Sequence, residues 1–323
     1  MKIFWPDPHK NLTKRISQAL NALGHTIILP SPDYKVTHYG FTRPDWVWAT
    51  NWSRDFCKEN IKYGNYLSLN KKEILDLKPD ICFIPHFEAQ FEVLYELLPK
   101  LPKSTKLCYF SGNCYKDPYY YGFYNMKNFL YADAISHREC QKHQIPHTLY
   151  YRPYQNYDLF KYTPYNRNDS TVGNFTCNFE ADWKEGHTFS KACENAVPEA
   201  KFEYDSTLSE SEVADKMANC LATTSYKSQE GFGMSSVESA ASGRPVFLLK
   251  QYNQDKSYLQ WLIEGETAFY VSSVQEFRAK LKALIDSPDY RNWVHYNCAQ
   301  KIRQYINNEE ETTKLGNFLE NLQ

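Results

Sequence analysis

Two carboxylates eight positions apart, Glu230 and Glu238, bracket a Gly231-Phe232-Gly233 turn that runs through Met234 into Ser235 and Ser236. Gly231 and Gly233 let a backbone approach a ligand closely. The helix expected to begin at the serines turns unpaired N–H groups and a positive dipole end toward an anion. Each carboxylate accepts hydrogen bonds from hydroxyls, its natural partners when the bound molecule carries a sugar or a ribose. A ligand with both phosphate and hydroxyl groups therefore suits this stretch. The same letters support a second reading, because Ser235-x-x-Glu238 has the spacing of a capping box, in which the carboxylate serves only the helix's own N–H groups.

With Glu230-Gly-Phe-Gly and Glu238 in register, the continuation Ala240-Ala-Ser-Gly-Arg-Pro-Val246 resembles the Glu-x7-Glu signature of retaining glycosyltransferases with the glycosyltransferase B fold, particularly their fourth family. The resemblance implies an α/β chain of two facing, doubly wound, Rossmann-like lobes that takes a nucleotide-diphosphate sugar as donor. It implies that Glu230 contacts the transferred sugar and that Glu238 holds the ribose hydroxyls. The backbone of Gly231, Phe232, Gly233, Met234 and Ser235 would cradle the diphosphate. Transfer would proceed with retention and without a metal, the departing phosphate taking the acceptor's proton. No cofactor is expected, and the chain has no Asp-x-Asp pair to hold a cation. The family also places a Val-Gly-Arg and a later Lys-Gly beside the diphosphate. Here the matching letters are Val172-Gly173-Asn174 and Lys184-Glu185-Gly186, which leaves Lys184 as a phosphate partner and the arginine missing. A lysine near a helix start is otherwise a solvated surface residue.

The elements that must position these groups read as alternating strands and helices. Lys2 to Trp5 is a strand, Asn11 to Leu23 a helix and His25 to Leu29 a second strand, the opening of a parallel sheet with crossover helices. Leu77 to His86 is a buried strand whose carboxyl end, where open parallel sheets take ligands, carries His86. The resemblance puts a histidine near the reacting sugar at a similar point, while an ordinary hydrogen-bonded histidine at a strand end fits as well. The loop after the first strand, Trp5-Pro-Asp-Pro-His-Lys10, lacks the family's glycines, and Trp5 and His9 are the acceptor-side candidates there. Residues 31–70 resist assignment. Trp46, Trp48 and Trp52 lie among Arg43, Arg54 and Lys58, and are read either as stacking platforms or as a half-buried strand. The acceptor-side domain is expected over 1–163 and the nucleotide-sugar domain over 164–300. The segment 301–323, with Leu315, Phe318, Leu319 and Leu322 on one stripe, is expected to pack back on the first domain.

The chain has 323 residues and a net charge of −1, unevenly spread. Residues 1–163 carry 21 Lys and Arg against 15 Asp and Glu, and the remainder 16 against 23. Such asymmetry reflects either an anionic partner for one lobe or two differently solvated surfaces. The acceptor is accordingly favoured to be anionic, for example a hydroxylated base in phage DNA, with a glycan or lipid as the other choice. Nine scattered cysteines without a Cys-x-x-Cys pair argue for a reducing, cytoplasmic setting and against a disulfide framework or zinc site. No apolar run approaches the ~18 residues of a membrane span, and the amino terminus does not read as a secretory signal. Two further classes stay open, a sugar-nucleotide epimerase of related fold and a non-catalytic sugar-binding protein.

Overall fold

The computed structural model describes residues 1–6, 10–31, 57–58, 61, 64–85, 96–112, 126–132, 134–142, 145, 147–166, 170–175, 184–205, 208–227, 232–253 and 260–323. They divide into two compact units, Met1–Tyr154 with Asn308–Gln323, and Gln155–Asn307.

The first unit runs β1 (Lys2–Phe4), α1 (Lys10–Ala22), β2 (Thr26–Pro30), β3 (Asn65–Leu69), α2 (Lys71–Leu77), β4 (Ile81–Pro85), β5 (Lys106–Ser111), β6 (Asn128–Tyr131), α3 (Ala134–Lys142) and β7 (His147–Tyr150). Its strands form one parallel sheet in the order β3-β2-β1-β4-β5-β6-β7. Strands covered on both faces read as continuous apolar runs, and all five residues of β4, Ile-Cys-Phe-Ile-Pro, are buried. Two apolar clusters lie against this sheet, one holding Ile3, Trp5, Phe83 and Phe110, the other Phe4, Ile84, Tyr109 and Tyr131. The alternation of neighbours such as Ile3 and Phe4 between the clusters is the period of two of a strand. β3 comes from the stretch that the sequence left unassigned. Its burial alternates only weakly, as befits an edge strand.

The second unit runs β8 (Ser170–Asn174), α4 (Lys184–Ala196), β9 (Ala200–Tyr204), α5 (Glu210–Asn219), β10 (Ala222–Ser225), α6 (Met234–Ala241), β11 (Val246–Leu249), α7 (Lys250–Asn253), β12 (Ala268–Val271), α8 (Val274–Asp286) and α9 (Pro288–Tyr305). Its parallel sheet has the order β12-β11-β10-β8-β9. Helix starts are written in the local sequence: Ser209 and Glu212 form a capping box at α5, and Ser273 caps α8.

The division between units precedes the expected boundary at Thr163, because residues 155–163 bond into the second unit. Tyr157 donates its hydroxyl proton to the carbonyls of Ile302 and Ile306, at 3.2 and 2.8 Å. An end of that unit at residue 300 would cut through α9, whose Cys298, Ala299 and Ile302 are buried. The last helix, α10 (Asn308–Glu320), belongs to the first unit. Its Leu315, Phe318 and Leu319 join the cluster of Ile3 and Trp5. His147 stacks on Phe318 with ring centroids 4.4 Å apart. Buried Glu311 accepts from the Arg152 backbone N–H at 3.0 Å and pairs with Lys314 at 2.8 Å.

Candidate functional site

Sheet order locates the site before any side chain does. In the second unit the chain winds from β8 to β9 on one side, then crosses to β10 on the other. Open parallel sheets bind ligands outside the carboxyl ends of their strands at such a reversal. Two helices begin there. α4 opens at Lys184, and its third residue, Gly186, is pressed against the end of β10: a Cβ built on Gly186 would lie 2.2 Å from the carbonyl oxygen of Tyr226. Only a residue without a side chain permits this approach.

The second helix, α6, begins at Met234 with Gly233 as its N-cap, in the left-handed region at φ 72° and ψ 52°. No side chain caps it. The first bonds to turn inward are Ser236 N–H and Val237 N–H, both donating to the Gly233 carbonyl at 3.0 and 3.1 Å. Ser235 is thus the second residue inside the helix, and the capping box expected of Ser235 and Glu238 is not formed. The reason is steric: Gly233 takes the left-handed conformation that lets the chain enter the helix two residues earlier. Glu238 consequently stands in the second turn of α6 rather than the first, half-buried. A narrow crevice beside the helix start is lined by Phe175, Met217, Thr224, Ser225, Ser235 and Ser236. Two strand ends, a helix start and several hydroxyls meet here, and an uncapped helix start favours an anion.

Of the sequence-predicted residues, Phe232, Gly233, Met234, Ser235 and Glu238 lie together on this turn and helix, with Phe232 buried. Lys184 is the first residue of α4, and its side chain lies outside the described ones. Glu230, Gly231, His86 and His9 lie outside the described residues, as do Trp46, Trp48 and Trp52. Trp5 is a core residue rather than a surface one. It is 0% exposed, its ring packs on Phe83 and Phe110 at 4.7 and 4.8 Å between centroids, and its indole N–H donates to Thr13 Oγ1 at 2.9 Å. The acceptor-side expectation for Trp5 is corrected accordingly, because a ring enclosed on all sides offers no face to a ligand.

Sequence reasoning passed over Arg244, the arginine between Gly243 and Pro245. It is fully buried, and no carboxylate pairs with it among the described residues. Carbonyl dipoles solvate it instead: Nη2 donates to Ala218 at 2.6 Å and Thr163 at 2.8 Å, and Nη1 to Gly243 at 3.3 Å. Nη1 also donates to His295 Nδ1 at 3.0 Å, while His295 Nε2 donates to the Leu221 carbonyl at 2.8 Å. That network fixes His295 as a neutral imidazole. Burial and then the Arg244 charge push its pKa down to about 3. Burial also lowers Arg244, to about 10. One guanidinium thus ties the end of α5, the entry to the unit and α9 beneath the strand that follows α6. The signal in the sequence was a charged residue wedged between small and rigid neighbours within an apolar run.

Among the described residues no three of His, Cys, Asp or Glu gather as metal ligands, and no helix is long and apolar enough to cross a membrane. No protein-family model and no curated protein matches the chain. Solved structures do. Alr3699/HepE of Anabaena, determined in complex with UDP-glucose, superposes with a TM-score of 0.72 at 12% identity over 100% of both chains. Sucrose-phosphate synthase of Thermosynechococcus elongatus gives 0.65 at 10% identity, over 99% of this chain and 98% of the other. TarM of S. aureus gives 0.61 at 10% identity, over 77% of this chain and 57% of its own. With its two parallel, helix-flanked sheets and these neighbours, the chain has the glycosyltransferase B fold.

Proposed function

We propose that the protein is a retaining glycosyltransferase that moves a sugar from a nucleotide-diphosphate sugar to a hydroxyl acceptor, with the second unit holding the donor. The observation that carries this reading is the start of α6, an uncapped helix entered through left-handed Gly233 at the reversal of the sheet. The complexes of Alr3699/HepE with UDP-glucose, and with UDP and glucose, support a nucleotide sugar as donor.

In such a reaction positive charge grows on the sugar ring while negative charge grows on the leaving diphosphate, and holding the latter is the main task. The N–H groups at Gly233, Met234 and Ser235 precede the first inward bond of α6, so together with the helix dipole they supply fixed positive potential. Lys184, at the head of α4, adds a positive charge. Glu230 contacts the transferred sugar and Glu238 the ribose hydroxyls. The departing phosphate oxygen takes the proton of the incoming hydroxyl, so no protein base and no metal is assigned. His86 and His9 stay candidates by position in the sequence. The positive balance of residues 1–163 favours an anionic acceptor, a hydroxylated base in DNA being one. Acceptor affinity would then fall as salt rises, and salt-independent affinity would exclude the nucleic acid.

The direct test is incubation with UDP-, GDP- and ADP-sugars without acceptor. Slow release of free nucleotide from one of them is expected. An altered but uncleaved sugar would favour the epimerase, and binding without turnover the sugar-binding protein. No binding to any of them would overturn the reading.

A further inference from the structure

The contact between Gly186 and Tyr226 joins the start of α4 to the end of β10, the strand that precedes α6 in the chain. Tyr226 directly follows β10 and stands four residues ahead of Glu230; Gly186 stands two residues after Lys184. The Tyr226 ring is 3% exposed, packs edge-on to Phe189 at 5.0 Å and 88°, and has its hydroxyl end sealed beside Cys193. Gly186, Phe189 and Cys193 are spaced i, i+3 and i+7, one stripe along α4, and all three meet Tyr226. At the top of that stripe the Tyr226 carbonyl fills the space where a side chain on Gly186 would stand. Gly186 does not have a positive φ, so close approach, and not backbone conformation, is what requires glycine there.

We infer that Gly186 and Tyr226 are positioning residues for the diphosphate, setting the distance from the head of α4 to the end of β10. The inference rests on the proposed donor site and adds what holds its two halves in register. Neither residue touches the ligand in this account. They act by fixing where Lys184 and the α6 N–H groups stand, and a misplacement of about 1 Å at such a site costs ~10²-fold in rate.

Calorimetric titration of the full chain with UDP, GDP and ADP, and with uridine, guanosine and adenosine as competitors, tests this. Gly186→Ala inserts one methyl against a carbonyl. It is expected to lower the thermal midpoint, because the backbone must give way, and to weaken the preferred nucleoside diphosphate about tenfold, the loss of one charge-assisted bond, while the parent nucleoside competes as before. Phe189→Leu, which loosens the seat without a clash, is expected to give about a threefold loss in the same direction. It decides the matter if the alanine variant does not fold. Unchanged diphosphate affinity in the folded variants overturns the inference, as does an equal loss for nucleoside and diphosphate. If the natural chain binds none of the three diphosphates, the donor-site reading falls, and this inference with it.

Discussion

Both sheets reverse their winding, and the two reversals are finished in opposite ways. In the first unit the reversal lies between β1 and β4, and the residue after β1 is Trp5, enclosed by Phe83 and Phe110 with its N–H spent on Thr13. In the second it lies between β8 and β10, where Gly186 lets α4 close on the end of β10 and Gly233 opens α6 in the left-handed region with no side-chain cap. The same topology thus seats a core residue at one reversal and an uncapped helix start at the other. The difference is side-chain volume at a few positions. Topology offers a binding place twice, and local residues decide whether it is filled.

Emptying the filled mouth should give the largest effect. Trp5→Ala removes an enclosed indole and a buried hydrogen bond, and is expected to cost about 3–5 kcal/mol of stability. Denaturant unfolding measures this, and nucleotide titration of the folded fraction should show unchanged donor affinity. A donor affinity that drops while stability holds would place the cradle on the wrong unit. Next in size is the charge beside the turn. Glu230→Gln should lower transfer by ~10²–10³-fold with little change in stability, whereas Glu238→Ala should act mainly on nucleotide binding, by about tenfold. Near-normal kinetics in both variants would refute the assignment of the two carboxylates.

These residues also show how much of the molecule was legible in its letters. Strands of the β4 type announce themselves, since an unbroken apolar run between Asp80 and Pro85 fits only a strand covered on both faces. Helix starts with a Ser and a Glu three residues on, as at Ser209 and Ser273, are legible because the signal is local. The same local rule misread Ser235, where a left-handed glycine two residues earlier claimed the cap. β3 escaped because an edge strand carries little apolar alternation to detect. Trp5 and Arg244 escaped for a different reason. Whether an indole or a guanidinium lies inside or outside depends on partners 78 and 51 positions away, Phe83 and His295, which no local pattern contains.

The entry to α6 offers a smaller and sharper probe. Gly233→Ala must hold a Cβ in the left-handed region, at about 2 kcal/mol, and should weaken diphosphate binding along with stability. Gly233→Asn should separate the two, because asparagine tolerates that conformation and caps helices well. Its side-chain oxygen would then occupy the N–H groups proposed for the anion. Recovered stability with unrecovered affinity, read by thermal scan and titration, is the expected outcome. Recovered affinity would mean that the anion sits elsewhere.

The smallest effect concerns what lies beneath the cradle. The first unit buries a carboxylate, Glu311, beside Lys314, while the second buries Arg244 with carbonyls and a neutral imidazole. Only the latter arrangement requires a histidine to refuse a proton. His295 has its pKa depressed from 6.5 to about 3 by burial and by Arg244, with Arg291 adding to the repulsion. Below 6.5 the unfolded chain therefore takes up a proton that the folded unit does not. The stabilisation is complete above pH 6.5 and declines as pH falls toward 3, by about 1.4 kcal/mol per unit. Hydrogen exchange along α9 and β10, corrected for intrinsic rates, should report this as protection lost between pH 6.5 and 5, with α1 and β4 of the first unit losing less. In His295→Gln, which keeps an acceptor and a donor but cannot titrate, that extra slope should vanish. If the slope persists, the acid sensitivity belongs to other groups, and Arg244 is not sustained by a neutral partner.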